Sequence, residues 1–483
     1  MRREKDKLGQ RQLPAEALYG LQSLRARENF AVGGALTNPR LISAMVKVKK
    51  AAAMTYLKLS PEMAEINQAI IWACDQVLAA QASAEKSPPK LGPPSLPGQS
   101  AKSGASQEAA FSEPALDFSQ AFIVPAIQGG AGTSTNMNVN EVLANLALKK
   151  LNLPPGRYEV IHPLDHVNRG QSTNDVYPTA LRIAAIDLLR ELSQGCADLQ
   201  QALQIKENEF SEIKKLGRTE MMDAVPITLG EEFGAYAQAL ARDRWRLYKI
   251  EERLRQVNIG GTAVGLADNT EKRYRFGIIE NLRTITDQGL AAAEYPMDIT
   301  QNNDVFVEVS GLMKALAVNL MKIAGDFRLM NSGPRGGLGE IRLADLQMGS
   351  TIMPGKVNPV IPEMVIEVAI KVMANDLAVT MAAAHGDFEL NAFAPLIAES
   401  LLESLELLAK TVVIFRKNCL ETLTPNVERC AQLLTNSLAF ATAYAPKLGY
   451  DQVAAIIEQN QGHPEKVLAA LKQALLDKEN KPT

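Results

Sequence analysis

Leu181 to Leu203 reads LRIAAIDLLRELSQGCADLQQAL. Leu181, Ala185, Leu188, Leu192, Cys196, Leu199 and Leu203 fall four and three apart in it, which is one stripe of a helix of about six turns. Val309, Leu312, Leu316, Leu320, Ile323 and Phe327 repeat the spacing. A third run, Val365 to Met381, is apolar on most sides, with Val365, Val368, Val372, Leu377 and Met381 as candidate buried residues. Such a helix has to be covered all round, so the pattern predicts an all-α long-helix bundle and, for this helix, cover from other chains. Aromatic residues are only 5% of the 483, and no strand alternation separates the helices, which favours helix over sheet throughout.

With 46% hydrophobic and 22% charged residues the chain is globular. Fifty-one Lys plus Arg against 54 Asp plus Glu give a net charge of -3. There is no basic excess for a phosphate backbone or an anionic bilayer, so neither nucleic acid nor membrane is expected as a partner. The first residues, MRREKDKLGQRQ, are polar, and no apolar run reaches about 18 residues. Cys74, Cys196, Cys419 and Cys430 form no CxxC pair. These features predict a cytoplasmic chain in a reducing compartment. Lys86 to Ser106, KSPPKLGPPSLPGQSAKSGAS, is dominated by Pro, Ser and Gly and reads as a surface insertion between two helices. The terminal KENKPT reads as frayed.

Three segments share a chemistry: GGAGTSTNMN (Gly129 to Asn138), QSTND (Gln171 to Asp175) and MGSTIMPGKVNP (Met348 to Pro359). Each sets hydroxyls and amides ahead of a helical pattern, where unbonded N–H groups and the positive end of the helix dipole attract anions. Three such places suit a dianion, although each alone reads equally well as an N-cap. In the third, Gly349 and Gly355 bracket a Ser, a Thr and a Pro, and Lys356 and Asn358 follow. Ser350 is a candidate nucleophile or base, and Lys356 a cation for a carboxylate whose charge grows in a transition state. None of the four histidines lies near a GxSxG elbow, which argues against a serine hydrolase.

GSTIMPGKVNP resembles the signature loop of the fumarase/aspartase lyase superfamily, usually GSSxMPxKxN. Further resemblances run along nearly the whole chain: EKDKLGQRQLPAEALYGLQSLRARENF, GAGTSTNMNVNEVLAN, HVNRGQSTNDVYPTA, GRTEMMDAVPITLGEEF, GGTAVG and TQNNDVFVEVSG. The resemblance implies a three-domain fold: an N-terminal helical domain at 1–172, a central long-helix bundle at 173–425 and a small helical domain at 426–483. It also implies a homotetramer in which each site gathers segments of three subunits. Carried over, the base is Ser350, and Lys356 and Asn358 match the residues that hold the carboxylate beside the acidified carbon or its neighbour. Thr133, Ser172, Thr173, Asn174, Thr219 and Thr351 contact the substrate, with Thr351 standing where the family has a second Ser. Glu220 takes the position of a His in fumarases or a Gln in some aspartases, and Glu363 is the carboxylate expected to face it. The implied reaction is an anti elimination through an aci-carboxylate, without metal or organic cofactor.

Aspartate and malate, which give the same fumarate, differ only in an amine or a hydroxyl. QSTND, GTSTN and NPVIPE resemble the aspartase forms, while GDFELNAF (Gly386 to Phe393) is nearer the fumarase form. The resemblance therefore implies elimination of ammonia from L-aspartate, with class II fumarase chemistry and a catalytically silent helical scaffold as alternatives. His162, Asp165 and His166 in HPLDH have a metal-like spacing, but Pro163 opposes a regular helix there, and no metal is expected. Neither GGTAVG (Gly260 to Gly265) nor GPRGGLGE (Gly333 to Glu340) continues into GK[ST], so nucleotide binding is not expected. Trp72 and Trp245 read as core or interface anchors.

Overall fold

The computed structural model describes residues 1–86, 118–268 and 270–479. The expected insertion beyond Lys86 and the last four residues lie outside that range. Helices dominate, and the strands among the described residues form only two-stranded pairs. Among the described residues six helices run 22 residues or more: Ala64–Lys86, Thr173–Glu209, Leu229–Leu254, Asp304–Met330, Val360–Ala384 and Ala394–Phe415. The all-α reading therefore holds, and the solved structures compared below share the fold. The Leu181 to Leu203 stripe is buried along its whole length.

The chain divides into two compact units, one of Met1–Arg190, Lys249–Gly311 and Ala374–Leu405, the other of Glu191–Tyr248, Leu312–Met373 and Glu406–Thr483. In the first, helix Pro39–Leu59 packs against helices Ala64–Lys86 and Lys272–Thr286. Asn38 caps that helix by accepting from the Arg40 N–H, and Pro39 at the first helical position gives up a donor that would have had no partner. The second unit has an aromatic core. Phe210, Phe233, Phe327 and Phe415 are buried in a chain of ring contacts 5.3 to 5.5 Å apart, close enough for edge and offset attraction beyond area burial. A smaller core of Leu448, Val453, Val467 and Leu471 holds the C-terminal helices together.

The Val360–Ala384 helix corrects part of the sequence reading. Val365 and Val372 are buried and Val368 is half-buried, but Leu377 is 63% exposed and Met381 54%. Ile370 extends the same exposed stripe. One chain covers only one side of this helix, so a composition apolar on most sides does not make every side a core side. Trp72 is half-buried beneath the Lys150 ammonium, whereas Trp245 is exposed and is no core anchor within one chain.

Candidate active site

In the second unit the Met348 to Pro359 loop closes on itself. Gly349 donates its N–H to the Lys356 carbonyl at 3.0 Å, and the Asn358 side chain donates to the Gly349 carbonyl at 2.9 Å. A Cβ on Gly349 would lie 2.6 Å from the Lys356 oxygen, so only glycine permits this closure. The helix that follows begins at Val360, which places Ser350 on the closed loop rather than at a helix cap. Its Oγ accepts the N–H groups of Ile352 at 3.2 Å and Met353 at 2.9 Å. Two backbone dipoles thus point at the oxygen and favour negative charge on it.

Lys356, Asn358 and Glu363 line a cavity of about 690 Å³ together with Arg328, Asn331 and Ser332. Glu363 Oε1 lies 3.9 Å from Arg328 Nη2. Thr351 is exposed on the loop. Thr219 ends strand Lys214–Thr219 and pairs with Met222 of strand Met222–Thr228, leaving Glu220 and Met221 as a two-residue turn. Both have positive φ, 53° and 66°, as a type I′ hairpin requires. Glu220 is exposed at this tip and forms no hydrogen bond or ion pair among the described residues.

The first unit positions the other candidates. Gly132, with φ 88°, caps helix Thr133–Lys150, so Thr133 is exposed at an N-terminus. A Cβ on Gly132 would sit 2.1 Å from the Tyr177 ring. Ser172 opens helix Thr173–Glu209 with a reciprocal cap: its Oγ accepts the Asn174 N–H, and Asp175 accepts the Ser172 N–H. Asp175 also takes the N–H groups of Gly260 and Thr262 at 3.0 Å each, which ties the GGTAVG loop to this helix start. Asn174 donates to the Ala263 carbonyl. Thr173 Oγ1 accepts from Asn136 at 3.1 Å, so its own O–H proton is available to a ligand. His162 caps a π-helical turn over Pro163–Val167 that contains His166, and Nδ1 of each accepts backbone N–H: Leu164 and Asp165 donate to His162, and His162 donates to His166. Among the described residues no three His, Cys, Asp or Glu side chains gather as metal ligands.

These loops can be set beside known proteins. The family described as Lyase matches residues 93–374. An aspartate ammonia-lyase from a Bacillus species is 39% identical, over 95% of this chain and 90% of that one. One from Helicobacter pylori is 38% identical, over 99% and 95%. The chain belongs to the fumarase/aspartase lyase superfamily. Among solved structures of this superfamily, the fumarate lyase:delta crystallin from Brucella melitensis bound to cobalt superposes with a TM-score of 0.86 at 41% identity, covering 98% of each chain. A class II fumarase from Schistosoma mansoni gives 0.85 at 29%, covering 98% and 95%.

Within this lyase fold the sequence reading overlooked the supports of the site. Asn136, Asn168 and Asp175 stand inside quoted motifs, yet Asn and Asp beside a helix start read as caps or turns. Arg328 lies on helix Asp304–Met330, away from any motif. Its only sequence signal is a cation in the last turn of a helix.

Proposed function

We propose that this lyase is an aspartate ammonia-lyase, converting L-aspartate to fumarate and ammonium. The observation that carries the mechanism is the Ser350 hydroxyl receiving two backbone N–H groups inside the closed GSTIMPGKVNP loop. The similarity to aspartate ammonia-lyases over nearly the whole chain supports the substrate. Ser350 as alkoxide takes the proton from the carbon next to one carboxylate, and the C–H electron pair passes into that carboxylate to form the aci-carboxylate dianion. Lys356 and Asn358 stabilise the added charge. The pair then returns to form the C=C bond as the C–N bond breaks with its electrons on nitrogen, so the substrate's ammonium group leaves as ammonia, which takes up a proton to become ammonium. Thr133, Ser172, Thr173, Asn174, Thr219 and Thr351 bind the substrate, with helix N-termini and free hydroxyl protons meeting its carboxylates. The deciding assay follows absorbance of fumarate from aspartate, with malate in parallel. Turnover of malate alone would make it a fumarase, and turnover of neither would favour a silent scaffold.

The same proposal includes a cytoplasmic homotetramer with sites shared among three subunits, and a working division at 172/173 and 425/426. The exposed apolar stripe of Ile370, Leu377 and Met381 supports assembly, because a row of large apolar side chains is covered in a stable protein. Free, buried Cys74, Cys196, Cys419 and Cys430 suit a reducing compartment, and among the described residues no helix is long and apolar enough to cross a membrane. Mixing inactive Ser350→Ala with inactive Thr219→Val subunits should restore activity, since some hybrid sites are wholly wild type. A mixture as inactive as its components, or an active monomer, would contradict shared sites.

Glu220 is the residue we assign to the substrate ammonium. At the hairpin tip it is exposed, with no partner among the described residues, so its carboxylate is available to a neighbouring site, where Glu363 from another subunit is expected to face it. Two acids at close range favour a shared proton, which suits amine departure. Glu220→Gln should keep turnover but raise the Michaelis constant for aspartate roughly fivefold, the difference between a charged and a neutral hydrogen bond. An unchanged constant would remove Glu220 from amine recognition.

A further inference from the structure

We infer that Lys49 is a positioning residue for the substrate segment Gln171 to Asp175, acting through Asn168. The inference rests on the function proposed above for that segment. Lys49 sits in helix Pro39–Leu59, flanked on its face by the buried Met45, Val46, Ala52 and Ala53, and none of its surface is exposed. An ammonium in such a place loses its hydration, so burial pushes its pKa well below the ordinary lysine value, against the opposing pull of Asp175. A methionine of similar length would pack there without that penalty, which makes the retained charge a sign of function.

Among the described residues the ammonium makes one hydrogen bond, 2.7 Å to Asn168 Oδ1. The same oxygen also accepts from Asn136 at 3.1 Å and Asn140 at 3.3 Å. Three donors therefore converge on one amide oxygen, while the side-chain oxygens of Asn136 and Asn140 are buried with no donor among the described residues. Neutral chemistry alone would distribute these bonds more evenly. A cation is what makes Asn168 the common acceptor.

Asn168 passes this fixation to the substrate segment by two routes. Its own amide donates to the Gln171 carbonyl at 3.1 Å, and the Gln171 N–H returns to the Asn168 carbonyl at 3.1 Å, which sets the turn entering Ser172. Asn136, held against Asn168, donates its second proton to Thr173 Oγ1, which orients the Thr173 O–H outward. Beyond it the buried Asp175 carboxylate holds the Ser172, Gly260 and Thr262 N–H groups and attracts the Lys49 charge. Lys49 thus lies behind both supports of the segment without reaching the reacting atoms.

The test compares Lys49→Met with wild type in the intact chain by two readouts. Hydrogen exchange without substrate should accelerate about tenfold over 168–175, and not elsewhere, once the charged hydrogen bond is lost. The Michaelis constant for aspartate should rise about tenfold while kcat stays within about threefold, at an unchanged thermal midpoint. Asn168→Ala, which keeps the lysine and cuts the link, should reproduce both effects and serves if Lys49→Met does not fold. Unchanged exchange over 168–175 would overturn the inference, as would a fall in kcat that merely follows a fall in the thermal midpoint. Because exchange is read without substrate, a chain inactive on aspartate would sink the proposed function and leave this readout standing.

Discussion

Ser350→Ala should leave a folded, assembled chain whose elimination rate falls by about 10² to 10⁴, the usual worth of a general base. The fold survives because the loop is not closed by the serine side chain. Gly349 still bonds to the Lys356 carbonyl and Asn358 still holds the Gly349 carbonyl. What disappears is the one oxygen that receives both the Ile352 and Met353 N–H groups. In the mutant those dipoles point at a methyl group, so neither an alkoxide nor a stabilised oxyanion can form there. The measurement is steady-state fumarate release beside far-ultraviolet circular dichroism and a sizing column. Turnover at the wild-type rate would end the assignment of Ser350 as base, while loss of assembly would show that the loop is structural.

Why the helices were legible and their covering was not follows from what periodicity contains. The Leu181 to Leu203 stripe has a single face, so a spacing of four and three determines what is buried. The Val360–Ala384 helix is apolar on most sides, and nothing in its own residues distinguishes the face covered by this chain from that carrying Leu377 and Met381. Lys49 lies between Lys47 and Lys50 in MVKVKKAAAM, where three lysines within four residues look alike. Lys47 and Lys50 reach Asp187 and Asp75, and only the packing of the neighbouring helices buries the one between them. The Lys214 to Thr228 hairpin was hidden for another reason. Its turn is Glu220–Met221 instead of an Asn-Gly pair, and a proline stands in its second strand. The loop residues were legible as chemistry because their short-range pattern carries the function. Asn168 and Glu340 stand inside quoted stretches, but they act through tertiary contacts that the local pattern does not show.

Glu340→Ala should cost about 3 to 5 kcal/mol, the effect of leaving buried charges without their partner. Glu340 is wholly buried, and both of its carboxylate oxygens meet cations: Oε1 accepts from Arg218 at 2.9 Å, and Oε2 lies 2.9 Å from Lys215 Nζ. Lys215, itself 2% exposed, also reaches Glu232 at 2.6 Å. Burial opposes the Lys215 charge, but Glu232 and Glu340 outweigh it and hold the ammonium above the ordinary lysine range. A raised lysine contributes its full stability below the unfolded pKa and loses it only as pH climbs through the folded value, so at neutral pH the contribution of Lys215 is fully present. Its location matters as much as its strength. Lys215 and Arg218 belong to the strand that ends in Thr219, and Glu340 precedes the Ser350 loop, bonding through its backbone to Met330 and Asn426. With Glu340 gone, Arg218 loses its carboxylate and Lys215 keeps one of two, so the hairpin bearing Thr219 and Glu220 loosens with respect to the strand's support. The mutant should therefore unfold at lower denaturant and lose activity in parallel, whereas Glu340→Gln, which keeps the shape and one hydrogen bond, should lose less of both. Stability within about 1 kcal/mol of wild type in the alanine variant would mean that the apolar packing of this unit, with Phe233 and Phe327 at its centre, holds the hairpin without help from the charges.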